Sequence, residues 1–155
     1  HSKFDCWSRQ RFYSVCTIAL VMRVMVMYNP VSGRGKSCRH AGVIAERLIQ
    51  IPCDVELVQT QTISPALWLA PKLQCDPDAI VVVGGDCTLR QIASVVKETN
   101  IPVYHSACGT ENLFAKSMAL DAHPDAVVRA IIQNTTKKYR MILYIFLEEY
   151  FVQVY

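Results

Sequence analysis

Three glycine-bearing stretches hold residue types and spacings suited to phosphate chemistry: NPVSGRGKS (29–37), GGDCT (84–88) and SACGTENLFAKSM (106–118). Glycine has no Cβ, so the backbone can approach a ligand closely, and the N–H groups of a following helix N-terminus can meet anionic oxygens. Asp86 ends an oily run and is placed to accept a proton from a hydroxyl or to hold Mg²⁺ through water. Thr88 could bind phosphate while capping the helix it begins, and with Gln91 three residues on it forms a capping box. Taken singly, each stretch is an ordinary strand-to-helix turn, Asp86 a solvated cap, Lys36 a solvated lysine and Thr60 a strand-end hydroxyl. The first stretch is neither a P-loop, since Pro30 stands where that motif needs glycine, nor a dinucleotide loop, since Cys38 takes the third glycine position.

For these turns to act together, the elements around them must bring them to one edge. Met22 to Tyr28 is a β-branched, Met-rich run that reads as a buried strand. Ala41, Ile44, Ala45, Leu48 and Ile49 then form a helical stripe that Pro52 stops. Cys53 to Thr60 reads as a second strand, Ser64 to Leu73 as a short helix, and Ala79 to Val83 as a third strand. A helical face at Leu89, Ile92, Ala93, Val95 and Val96 follows, then a strand at Ile101 to His105 and helices over Asn112 to Met118 and Pro124 to Ile132. Four successive βα units predict an α/β fold, a three-layer parallel sheet with helices on both faces. Ligands of such sheets bind beyond the carboxyl ends of the strands, so the three turns would share one pocket.

The chain has 155 residues, 52% hydrophobic and 19% charged, which fits one globular core and excludes a disordered tail. The net charge of +3 is scattered, with no basic cluster interleaved with aromatics, so nucleic-acid binding is not expected. Seven cysteines without metal-ligand spacing read as reduced, mostly buried small hydrophobes of a cytosolic protein. His40, His105 and His123 have no partner visible in the sequence and read as structural or surface residues. The apolar piece Val15 to Met22 is about half the length of a membrane-spanning helix and lacks a signal-peptide cleavage pattern.

Together, YNPVSGRGK, VVVGGDCT and ACGTENLFAK, in that order, resemble the diacylglycerol kinase catalytic domain family, which includes bacterial lipid kinases and the sphingosine and ceramide kinases. The family reads NPxSGxG, GGDGT and PxGTxNDFA, and the resemblance spans about Met22 to Ile132. It implies a nucleotide-binding α/β domain related to NAD kinases and phosphofructokinases, followed by a β-rich second domain. On this pattern residues 1–21 are an N-terminal extension, 22–136 the nucleotide-binding domain and 137–155 the first hairpin of a truncated second domain; the hairpin could also extend the main sheet edge. The resemblance implies ATP with Mg²⁺ as cofactors, a lipid hydroxyl as acceptor, and a cytoplasmic protein with peripheral membrane contact. It places nucleotide at Asn29, Ser32, Gly33, Thr60, Gly84, Gly85, Asp86, Thr88, Gly109, Thr110 and Asn112, with Asp86 as catalytic base and metal ligand.

Departures from the family pattern keep other readings open. Cys87 replaces the third glycine of GGDG, at a cost on the order of 1–2 kcal/mol if that position needs positive φ. Leu113 replaces the Asp of GTxND, and Ser106-Ala107-Cys108 replaces the usual approach to the GT turn. The alternatives are a catalytically inactive nucleotide-binding module and a kinase for a soluble acceptor such as NAD.

Overall fold

A computed structural model of the chain describes residues 21–143 and 148–155. The expected extension before residue 21 lies outside the described residues. Strands β1 (Met22–Tyr28), β2 (Cys53–Gln59), β3 (Ala79–Gly84) and β4 (Val103–Ala107) are parallel and stand in the order β2-β1-β3-β4. All six residues of β3 are buried. A central parallel strand is covered on both faces, which is why it reads as a continuous oily run and not as an alternation.

The two-residue period of the strands divides the core between the faces. Met25, Met27, Ile80 and Val82 pack with Trp68, Leu69, Leu73, Leu89, Ile92 and Val96, which belong to or adjoin α2 (Pro65–Trp68), α3 (Ala70–Leu73) and α4 (Asp86–Val96). Val24, Val26, Val81 and Val83 pack instead with Ala41, Ile44 and Leu48 of α1 (Lys36–Ile49) and with Val127 and Ile131 of α6 (Pro124–Gln133). The three-layer α/β architecture expected from the alternating periods is present. Arg23 ties the far end of the sheet together: its Nη1 donates to Cys75 O at 2.6 Å, and its backbone N–H to Asp78 Oδ2 at 2.7 Å.

Several boundaries differ from the expectations. The helix expected over Ser64 to Leu73 is divided at Leu69, because Pro71 in the first turn of α3 has no N–H with which to continue the preceding helix. Strand β4 begins at Val103, since Pro102 can only accept, and does so from Ile80 N–H at 2.9 Å. Helix α4 starts at Asp86 with Gly85 as its N-cap, so Thr88 is inside the helix and the Thr88–Gln91 capping box does not form. Asn112 is the N-cap of α5 (Leu113–Ser117) in a left-handed conformation, φ 54°.

The tail forms an antiparallel hairpin of β5 (Lys137–Leu143) and β6 (Glu148–Val154). It extends the sheet beside β4 through the parallel pair Val103 and Val154, and Tyr155 N–H donates to Val103 O at 3.3 Å. The cysteine expectation is corrected. Cys38 and Cys87 are exposed, Cys53 and Cys108 are half-buried, and Cys75 is disulfide-bonded. Cys38 and Cys87 stand one position off the buried stripes of α1 (Ser37, Ala41, Ile44) and α4 (Thr88, Leu89, Ile92), so neither reaches the core. Among the described residues, no helix is long and apolar enough to cross a membrane.

Candidate functional site

The sheet order reverses between β1 and β3, because β1 connects outward to β2 and the chain then returns to the other side of β1. The carboxyl ends of β1 and β3 thus flank a topological switch point, the usual crevice of open α/β sheets. The turn after β1 is built around Asn29. Its N–H donates to Val83 O at 3.2 Å, its Nδ2 to Thr88 Oγ1 at 3.1 Å, and its Oδ1 accepts from Val31 N–H at 3.1 Å. Asn29 O accepts from Ser32 N–H at 3.0 Å and from the hydroxyl of fully buried Ser37. Gly33 lies at φ +59°, and a Cβ there would stand 2.6 Å from Cys108 O, so the first turn rests directly on the third.

The second and third turns meet backbone to backbone. A Cβ on Gly109 would fall 2.7 Å from Gly85 Cα, and Cys108 N–H donates to Gly84 O at 3.0 Å. A Cβ on Gly84 would be 2.8 Å from Thr88 Cβ, which explains the need for glycine where the helix folds back on the strand. The third turn is closed by the Asn112 carboxamide, whose Oδ1 accepts from Gly109 N–H at 2.9 Å and whose Nδ2 donates to Gly109 O at 3.0 Å.

Asp86 joins these turns. Its Oδ2 accepts from Leu113 N–H at 2.8 Å and its Oδ1 from Phe114 N–H at 3.2 Å, so the carboxylate caps α5 across the crevice. Helices α1 and α4 have no side-chain cap at Gly35 and Gly85, and the dipoles of both favour an anion there. Among the described residues no three His, Cys, Asp or Glu side chains converge to hold a metal ion. A hard cation such as Mg²⁺ needs only one or two carboxylates when phosphates supply the rest of its shell, and Asp86 fits that requirement.

The expected site residues fall into two sets. Asn29, Gly33, Gly84, Gly85, Asp86, Thr88, Gly109 and Asn112 are linked by the contacts above, and Ser32 lies within the same first turn. Thr88 is buried and holds Asn29, so its hydroxyl shapes the turn and does not cap a helix. Thr60 follows β2 with its N–H on Tyr28 O at 2.9 Å, two strands from Gly84, and Thr110 is exposed on the third turn.

The histidines, partnerless as read from sequence, have partners in space. His40 Nε2 lies 3.0 Å from Ser106 Oγ and 2.8 Å from Ala122 O, which latches α1 to β4. His123 caps α6, its Nδ1 accepting from Asp125 N–H at 3.3 Å. His105 is fully buried on β4, with Nε2 3.0 Å from Gly84 O. The one available signal was a run of polar residues, His105-Ser106, ending an otherwise apolar strand. The buried polar side chains Ser37, Thr88, His105 and Ser106 all lie at this edge of the sheet, where turns and not core need them.

Burial pushes the His105 imidazole below its ordinary value near 6.5, against smaller opposing effects of the Gly84 carbonyl and the Asp86 charge. The neutral ring is the form that fits. Unfolded His105 then binds a proton before the folded chain does, so its contribution is full above about pH 6.5 and lost as pH falls below it. The melting temperature should drop between pH 7.5 and 5.5 by more in the wild-type chain than in His105→Phe, measured by thermal melts at both pH values. Equal drops would show that His105 does not titrate in the expected direction.

This arrangement defines a class: a parallel α/β domain whose glycine-rich turns converge on the switch point. A family model described as the diacylglycerol kinase catalytic domain matches residues 23–144, and the chain belongs to that family. The fold is similar to the crystal structure of a provisionally assigned diacylglycerol kinase from Bacillus anthracis str. Sterne, at 20% identity and a TM-score of 0.64 over 80% of this chain and 46% of that one. A second structure of a diacylglycerol kinase from the same organism gives 21% identity and a TM-score of 0.62 over 76% and 44%. The chain thus spans less than half the length of these structures. No curated protein matches it.

Proposed function

We propose that the chain is the nucleotide-binding part of an ATP-dependent kinase that transfers the γ-phosphate to a lipid hydroxyl, of the diacylglycerol or sphingoid type. The observation that carries this reading is the backbone contact of the three turns, with two uncapped helix N-termini at the same crevice. Residues 137–155 are the proposed start of the acceptor-binding domain, and contact with a membrane surface would follow from a lipid acceptor.

Phosphoryl transfer asks the protein mainly for positioning and charge stabilisation. Backbone N–H groups of the first turns of α1 and α4 would hold phosphate oxygens, and Gly85 and Gly109 would let them approach. Mg²⁺ would neutralise charge on the phosphates. Asp86 would hold it, or would take the proton of the attacking hydroxyl, while its two backbone hydrogen bonds keep it aimed. Adding ATP with Mg²⁺ to the chain in a calorimeter should give saturable binding; no binding refutes the assignment.

A second reading, an inactive nucleotide-binding module, is favoured by one feature. Leu113, 61% exposed, stands where the family motif carries a carboxylate. ATP binding without transfer of phosphate to diacylglycerol, a sphingoid base or NAD would favour this module, and transfer to NAD alone would mark a kinase for a soluble acceptor.

The Cys87 departure has a smaller consequence than the family pattern implies. Cys87 is the second residue of α4, and positive φ among the described non-glycine residues is confined to Arg34, Asp76, Asn112, Ala119 and Asn134. No left-handed strain therefore arises at Cys87. Cys87→Gly should leave ATP affinity unchanged within about twofold and lower stability by less than about 1 kcal/mol through helix propensity. Calorimetry and a thermal melt measure both, and a large gain in affinity would restore the case against cysteine.

A further inference from the structure

We infer that His105 is a positioning residue of the phosphate-binding turn: it fixes the Gly84–Gly85 peptide so that the Gly85 N–H faces the first turn. The inference rests on the proposed nucleotide site and adds to it a residue outside the glycine-rich motifs.

Gly84 O receives Cys108 N–H at 3.0 Å and His105 Nε2 at 3.0 Å. A carbonyl is an acceptor only, so Nε2 carries the proton and Nδ1 is bare. Both lone-pair directions of Gly84 O are then taken from the β4 side. The described chain has no cis peptide, so the N–H of the same peptide unit points the opposite way, towards the end of β1 where Asn29 begins its turn. Without the second donor the peptide could rock about its bonds to Gly84 and Gly85, the pair least restrained by side chains.

The surroundings of the ring argue against a role in packing alone. His105 is fully buried, its Nδ1 has no hydrogen-bond partner among the described residues, and its ring lies 5.9 Å from that of Phe114, tilted by 46°. A buried polar atom without a partner costs stability. Packing alone would be served better by phenylalanine or leucine. A residue that breaks the local rule for burial and compensates by bonding a turn carbonyl is what positioning of a site produces.

The test compares His105→Phe, which keeps an aromatic ring without a donor, with His105→Gln, whose amide restores one. Loss of one buried hydrogen bond at the turn should weaken ATP binding by roughly tenfold in His105→Phe while its melting temperature holds or rises. His105→Gln should regain most of the affinity while melting lower than His105→Phe. Wild-type affinity in His105→Phe, or no regain in His105→Gln, would overturn the inference. If His105→Phe does not fold, His105→Leu takes its place with the same expectations. The nucleotide reading is separated by measuring the ligand-free chain by NMR: the Gly85 amide should shift and exchange faster in His105→Phe, whether or not ATP binds. An unmoved Gly85 amide overturns the positioning role, and a wild-type chain that ignores ATP overturns the nucleotide reading.

Discussion

Asp86→Ala is expected to release α5 from the second turn and, on the proposed function, to lower phosphate transfer by a hundredfold or more. The carboxylate accepts from two successive backbone N–H groups, Leu113 and Phe114, across 27 and 28 residues of sequence. Hydrogen bonds to a charged group contribute more than neutral ones, so losing both at this half-buried position should cost on the order of 2–3 kcal/mol. Asp86→Asn tells the two roles of the residue apart. Its amide oxygen can still accept from one N–H, but its NH₂ would face the other as donor against donor, so about half the stability loss should remain. If Asp86 takes the hydroxyl proton or holds Mg²⁺, the rate should fall by a hundredfold or more in Asn as in Ala, within the usual range for general base catalysis. Thermal melts and a phosphate-transfer assay on a transfer-competent form containing this chain measure the two effects. A rate in Asp86→Asn close to wild type would leave Asp86 as a cap of α5 alone.

Gly109→Ala is the second change with a large expected effect. The added Cβ would meet Gly85 Cα at 2.7 Å and Asn112 Oδ1 at 2.9 Å. The first of these is backbone and cannot swing aside, so the second and third turns must separate. Overpacking of this kind costs about 1–3 kcal/mol. The displaced turn is the one proposed to meet phosphate, so ATP affinity should fall by more than tenfold, read by calorimetry. Gly42→Ala is the control: a Cβ there meets nothing among the described residues within 4 Å, it lies within α1, and alanine should stabilise that helix by about 0.5–1 kcal/mol. Retained ATP affinity in Gly109→Ala would show that nucleotide does not depend on contact between these turns.

These expectations differ in how much of them the sequence holds. The alternation of oily strands with amphipathic helices defines the layers because each period is local. Val81 to Val83 must be covered on both sides, and Ile44 and Leu48 must face a sheet, whatever the rest of the chain does. Glycines at the ends of β1, β3 and β4 are local too, since a turn from strand to helix declares itself in residue type. Boundaries were legible to within two residues, except where Pro71 divides a helix and where Gly85, not Thr88, is the N-cap of α4.

What the turns do to one another was decided only in three dimensions. Thr88 looks like a cap in sequence, yet the fold uses its hydroxyl to hold Asn29, 59 residues away. Asp86 looks like a free carboxylate, yet both of its oxygens are taken by the backbone of α5. His105 carries no motif, and its bond to Gly84 exists because adjacent parallel strands place Gly84 beside Ala107, two residues beyond it. By itself the sequence determined where the glycine-bearing turns fall and that they would share one sheet edge, because pattern and glycine placement act over a few residues. Tertiary structure alone decided which residues hold the turns to one another. The partners of a hydrogen bond are chosen by strand order and register, and these are set by burial across the whole sheet.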